Sequence, residues 1–214
     1  MNDPIEPRWP ASLALIVCAG LYVVLSSRLV VGPRWLLPVL VVLPLIPLSL
    51  TWRRRPENAK LLRFLHVLAI ALVAIISVAN LISLILLIHR VFYSSHVAGR
   101  GLLYSATSIW VTNVIVFGLW FWELDRGGPI LRRGSDERRP DLQFPQMQVS
   151  GYDPSKWHPQ FFDYLYTSLA NGTSFAPADA MPLTASMKAL FGLESIISFI
   201  TIAIVAGEAV NILR

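Results

Sequence analysis

Apolar positions in this chain come in five long blocks separated by polar links. They show neither the strict alternation of a half-buried strand nor the narrow stripe of a surface helix. Uncharged blocks cover residues 9–27, 35–52, 64–88 and 101–122, and a fifth, 189–213, carries only Glu194 and Glu208. About 20 apolar residues in helical form cross the hydrocarbon of a bilayer. Each block therefore predicts a transmembrane helix. Together they predict an all-α integral membrane bundle of about five transmembrane helices, joined by one short re-entrant or interfacial helix.

The blocks differ in regularity. Pro38, Pro44 and Pro47 punctuate the second and Pro33 stands just before it; each proline removes a backbone donor, so a short or kinked helix is expected there. The third, residues 64–88, has no proline or glycine and is the clearest helix. His66, Ser77 and Asn80 share one broad side of it, which predicts a protein-facing side, with Asn80 either a packing or interhelical hydrogen-bond residue or a contact for an ion or substrate. The fourth ends in Trp120, Phe121 and Trp122, followed at once by Glu123 and Asp125. That order places an aromatic belt at a headgroup boundary. Ser105, Ser108, Thr112 and Asn113 supply small or polar packing positions within the same helix.

Three regions follow: residues 1–123 form an amino-terminal four-helix membrane region, 124–159 a charged interfacial loop, and 160–214 a half-helix with the final transmembrane helix. In the loop, Asp136, Glu137, Asp141 and Asp153 lack the spacing of a calcium-binding loop and are assigned to arginine pairing or solvation. Beyond it, the stretch from Gln160 to Asn171 breaks at Asn171 and Gly172, ahead of Pro177 and Pro182. Twelve helical residues cover only about 18 Å. Such a piece re-enters the membrane, lies along its surface, or begins a sixth crossing near Phe161.

On the last helix, Glu194, Ser198, Thr201 and Glu208 are offset by 4, 3 and 7 residues and form one longitudinal polar stripe. Carboxylates cannot cheaply face hydrocarbon. Three roles fit them: attraction of an ion or proton, buried structural hydrogen bonding, and placement of one glutamate at the interface.

Only 14% of the 214 residues are charged, well short of the roughly 25 to 35% that clothes a soluble surface. The net charge of +5 comes largely from arginines beside apolar blocks. These suit anionic headgroups, and no nucleic-acid-binding module accompanies them. With five crossings, the amino terminus and the links around residues 53–63 and 126–159 share one side, carrying 12 Lys and Arg against 5 opposite, Lys188 left out. This bias predicts a cytoplasmic amino terminus and an external carboxyl terminus. Residues 1–10 lack the basic region of an export signal, so no cleaved signal is expected. A single cysteine, Cys18, excludes an intrachain disulfide.

The run from Tyr166 through Asn171, Gly172, Thr173, Ser174, Phe175, Ala176, Pro177, Ala178 and Asp179 to Pro182 and Thr184 resembles the pore loop of the potassium-channel superfamily. There a short helix precedes a Thr-rich signature ending Gly-Tyr-Gly-Asp and a downstream proline. The resemblance places Thr173 and Ser174 at the hydroxyl positions and Asp179 and Pro182 at the acidic and proline positions, and puts Lys188 at the start of the following helix. It covers about residues 161–212. Ala176 and Ala178 stand where glycine lets carbonyls line a filter, and Pro177 fixes φ. Ordinary potassium selectivity is therefore not expected of this degenerate relative. Phe162-Asp163-Tyr164, Asn171-Gly172-Thr173, Asp179 and Asn211 also resemble bacterial integral-membrane proteins of uncharacterised function.

The expected function is a channel-like membrane protein with an atypical filter and a cation preference. Its permeation path or polar cavity would be formed by Asn171, Thr173, Ser174, Asp179, Glu194, Ser198, Thr201 and Glu208. One loop per chain implies a homo-oligomer, a tetramer by the resemblance. A nonconducting scaffold or accessory subunit of a larger membrane complex and a secondary transporter are the alternatives. His66, Glu123, Asp163, Asp179, Glu194 and Glu208 complete no zinc, nucleophile or haem motif, so no catalytic residue, cofactor or metal is expected.

Overall fold

The computed structural model describes residues 8–30, 32–53, 59–93, 99–132, 139–151, 153, 157–174 and 180–212. It is an all-helical bundle. In chain order it contains α1 (Trp9–Val24), α2 (Leu36–Arg53), α3 (Ala59–Tyr93), α4 (Gly99–Leu124), the single turn α5 (Gly128–Leu131), the short strand β1 (Leu142–Gln143), α6 (Phe161–Ser174), the short strand β2 (Met181–Pro182) and α7 (Ala185–Ile212). Among the described residues, three helical stretches are long and apolar enough to cross a membrane: Lys60–Tyr93, Arg100–Gly127 and Ala185–Ile212. Trp9–Val24 and Leu36–Ile46 are apolar but shorter. Length and composition thus qualify three of the five expected crossings.

The prolines do not split α2, which runs as one helix of 18 residues. Pro38 lies in its first turn, where the missing N–H has no helical partner to lose. The third helix is longer than the uncharged block that announced it, 35 residues against 25, because Ala59, Lys60 and Arg63 at its start and His89 and Arg90 near its end continue the helical backbone. Charged and polar residues of high helix propensity extend a helix beyond its apolar block.

α4 sits at the centre and packs on α1, α3, α6 and α7. Its buried residues include Leu102, Ala106, Ile109, Asn113, Val116, Leu119 and Phe121, so it is apolar around most of its circumference, as a central helix must be. The neighbours' directions follow from their contacts. Arg8, just before α1, and His66, in the first turns of α3, both reach Glu123 near the end of α4. Asn80 of α3 donates to the Ile109 carbonyl at 3.2 Å, the expected interhelical bond. Phe191 of α7 stacks on Phe121 with centroids 4.5 Å apart, and Asn113 meets Ser198 further along. α1, α3 and α7 therefore all start beside the end of α4.

The chain leaves α4 through a tight reversal. Arg126, Gly127 and Gly128 take φ of 52°, 81° and 87°. At Gly128 a Cβ would come 2.7 Å from the Glu123 carbonyl oxygen, so both the dihedral and the space demand glycine. The expected irregular loop contains more order than its composition suggested. β1 pairs antiparallel with β2, Leu142 opposite Pro182 and Gln143 opposite Met181. Phe144 packs edge-on against both Trp157 and Tyr164.

Candidate functional site: a buried polar seam between three helices

α6 lies against α4 on one side and α7 on the other. Its close approach to α4 is made at glycine: a Cβ on Gly118 would lie 3.0 Å from the Leu165 Cα. Phe161, Tyr164, Thr167, Ser168, Asn171 and Gly172 are its buried residues. These recur at three- and four-residue spacing, so they share one face. Phe162, Tyr166, Leu169 and Thr173 face outward.

Both ends of this segment lie at the same end of α4. Phe161 packs edge-on against Trp122, and the Tyr164 hydroxyl donates to the Asp125 carboxylate at 2.7 Å. From there α6 advances about 21 Å, the rise of its 14 residues. Gly172, near its far end, reaches Ser198, the middle of the 28-residue α7. By Met181 and Pro182 the chain is back beside β1, and the Leu183 N–H donates to the Asp141 carbonyl at 2.9 Å.

Asp125, fully buried, holds that end together. Its Oδ1 accepts the backbone N–H of Asp141 at 2.9 Å and of Leu142 at 3.3 Å. Its Oδ2 accepts the Tyr164 hydroxyl and, at 3.2 Å, Arg132 Nη1. Arg132 also donates to the Tyr164 hydroxyl and to the Trp122 carbonyl, and its guanidinium lies over the Tyr164 ring. A carboxylate with four donors, one of them a paired arginine, is a satisfied buried charge. Beside it, Glu123 pairs with Arg8 at 3.5 Å and His66 Nδ1 at 3.3 Å, while Arg8 lies over Trp122.

Deeper in the bundle the seam has one ionisable side chain. Glu194 of α7 is fully buried. Asn171 Nδ2 donates to Glu194 Oε2 at 2.8 Å and to the Phe191 carbonyl at 3.1 Å, while Asn171 Oδ1 accepts the Ser195 hydroxyl at 3.2 Å. Ser168 Oγ is hydrogen-bonded to Glu194 Oε1 and lies 2.7 Å from the Val114 carbonyl oxygen. Asn113 Nδ2 donates to Ser198 Oγ at 3.0 Å. The result is one seam joining α4, α6 and α7.

The structure brings together Asn171, Glu194 and Ser198 of the eight expected site residues. Thr201 is buried on the same face of α7 but donates to the Ile197 carbonyl of its own helix. Thr173 is exposed and bonds back to the Leu169 carbonyl, and Ser174 is exposed at the end of α6. Glu208 is half-buried and lies 14 residues beyond Glu194, about 21 Å along the helix and outside the seam. Asp179 lies outside the described residues.

Sequence reasoning passed over Ser168, Ser195 and Asn113 as partners of Glu194 and its neighbours, and Asp125, Arg132 and Tyr164 as a unit. A signal existed for Ser168: it precedes Asn171 by three residues and Gly172 by four, which puts a small polar face on α6. No local pattern pairs Asp125 with Tyr164, 39 residues away.

Between α3 and α7, over α4, lies a cleft of about 230 Å³ lined by Ser77, Asn80, Asn113, Trp120, Leu193 and Ile197. The Trp120 indole N–H donates to Ser77 Oγ there at 2.9 Å. Among the described residues, no group of three His, Cys, Asp or Glu side chains is arranged to hold a metal ion. No known protein family, characterised protein or solved structure matches the chain.

Proposed function

We propose that the chain is an integral-membrane, channel-like subunit in which α6 is a re-entrant half-helix and an oligomer surrounds the pathway. The observation that carries this reading is the path of residues 161–183: α6 starts at the end of α4, reaches the level of the middle of α7, and the chain returns to that same end by Met181. A segment that enters and leaves a membrane at one face is tolerated only where protein or a watery cavity covers its polar backbone. On this reading Asn171, Glu194 and Ser198 position the half-helix. Contact with a permeating cation falls to Thr173 and Ser174 at the end of α6 and to Asp179, the acidic position of the pore-loop resemblance.

The same reading takes α1 and α2 as crossings, making five, and sets the Arg8, His66 and Glu123 end of the bundle at the cytoplasmic face of a bacterial membrane. The count of 12 basic residues against 5 supports that orientation. Anionic headgroups are the partners of those arginines.

The nonconducting scaffold is the second reading, favoured by the complete burial of Glu194, Ser198 and Thr201 in helix contacts. Purified protein reconstituted in liposomes separates the two. Cation flux that responds to Asp179→Asn and Thr173→Val supports the channel; absence of flux for all common monovalent and divalent cations across voltage and pH removes it and leaves the scaffold.

A further inference from the structure

Ser168 Oγ has one hydrogen and two oxygen neighbours, the Val114 carbonyl at 2.7 Å and Glu194 Oε1. A carbonyl only accepts, so the Ser168 hydrogen is the one that can occupy the Val114 contact. The contact between Ser168 and Glu194 then needs a hydrogen from the other side. Asn171 uses both of its amide hydrogens, on Glu194 Oε2 and the Phe191 carbonyl, and its oxygen accepts from Ser195.

With an ionised carboxylate, Ser168 would be one hydrogen short and two oxygens would face each other bare. With a protonated carboxyl group every donor meets an acceptor, in a chain from Glu194 to Ser168 to the Val114 carbonyl. We infer that Glu194 is a proton-binding site, held as the neutral acid and donating its proton to Ser168, so that a proton latches α6 onto α7.

The surroundings agree. Among the described residues the partners of Glu194 are a hydroxyl and a carboxamide, and no cation pairs with it. On α4 the nearest charged group toward its end is Glu123, nine residues beyond Val114 and already paired with Arg8 and His66. On α6, Asp163 accepts the Gln160 N–H and Tyr164 is bonded to Asp125. On α7 itself, Lys188 is exposed and Glu208 is 14 residues away. An unpaired carboxylate buried at this depth is costly, and the neutral form avoids that cost.

Infrared spectroscopy of the full-length protein in lipid nanodiscs at neutral pH tests the assignment. A protonated carboxylic acid has a carbonyl stretch distinct from that of a carboxylate. The expected result is such a band in the wild type and in Glu208→Gln, and its loss in Glu194→Gln. Glu194→Gln is expected to fold, because an amide supplies the same donor to Ser168 and the same acceptor to Asn171. Its α6 amides should exchange with deuterium at a rate that does not rise with pH beyond the intrinsic chemistry, whereas the wild type loses protection once the acid ionises. A wild-type spectrum without the band, a band that survives in Glu194→Gln, or a Glu194→Gln protein that cannot fold would overturn the inference.

Discussion

Gly118 of α4 and Leu165 of α6 meet so closely that a Cβ on the glycine would stand 3.0 Å from the Leu165 Cα and 3.5 Å from its backbone nitrogen. Backbone atoms cannot swing aside as a side-chain end can. The seam deeper in the bundle depends on this approach, since Ser168 and Asn171 lie one and two turns further along α6.

Gly118→Ala is therefore expected to lower stability by about 1–3 kcal/mol through overpacking, and Gly118→Leu to displace α6 altogether. Gly20→Ala, where nothing lies within 4 Å of the added Cβ, serves as the control. Thermal unfolding in detergent reads both. Equal midpoints for Gly118→Ala and Gly20→Ala would refute the tight contact.

Asn171 serves three partners, so Asn171→Leu removes two donors and one acceptor. Glu194 Oε2 is then buried without its donor, at a cost of about 1–3 kcal/mol. Ser195→Ala removes one bond at a partly buried position and should cost about 1 kcal/mol. The pair is measured by the same unfolding assay, and a larger loss for Ser195→Ala would contradict the ranking.

Asp125→Asn keeps the shape of the clamp and removes its charge. Arg132 is then left buried without its carboxylate, and breaking one side of a buried pair costs about 3–5 kcal/mol. Tyr164→Phe loses only a hydroxyl and should cost about 1 kcal/mol. Limited proteolysis of residues 126–159 provides an independent readout: cleavage should speed strongly in Asp125→Asn and weakly in Tyr164→Phe.

The meeting of Arg8, His66 and Glu123 at one end of the bundle sets the side on which each link emerges. In a Cys18→Ala background, cysteines placed at Glu57 and Ser135 should react with an impermeant maleimide from one side of sealed vesicles. A cysteine at Ser95 should react from the other. Labelling of Glu57→Cys and Ser135→Cys from opposite sides would rule out this arrangement of α3 and α4.

Helices were legible in the sequence because the signal for them is local. An uncharged run such as residues 64–88 or 101–122 has nowhere to satisfy its backbone in lipid except within itself, so its length alone predicts a helix. The common face of Glu194, Ser198 and Thr201 follows likewise from 3.6 residues per turn, whereas the break expected at Asn171 and Gly172 does not occur: both are helical and α6 runs on to Ser174. Helix ends were less legible: α3 extends past its apolar block because Lys60, Arg63 and Arg90 continue a helix as readily as they end one.

Pairing between helices was decided only in three dimensions. Nothing near Glu194 in the chain names Ser168, 26 residues earlier, and nothing near Asp125 names Tyr164. Nor does the spacing of Glu194 and Glu208 on one stripe reveal that the first is fully buried and the second only half, because α6 stops at the level of Ser198. A residue's periodicity along one helix fixes its direction from that axis. What stands in that direction depends on contacts between segments distant in sequence, and those form only when the bundle closes.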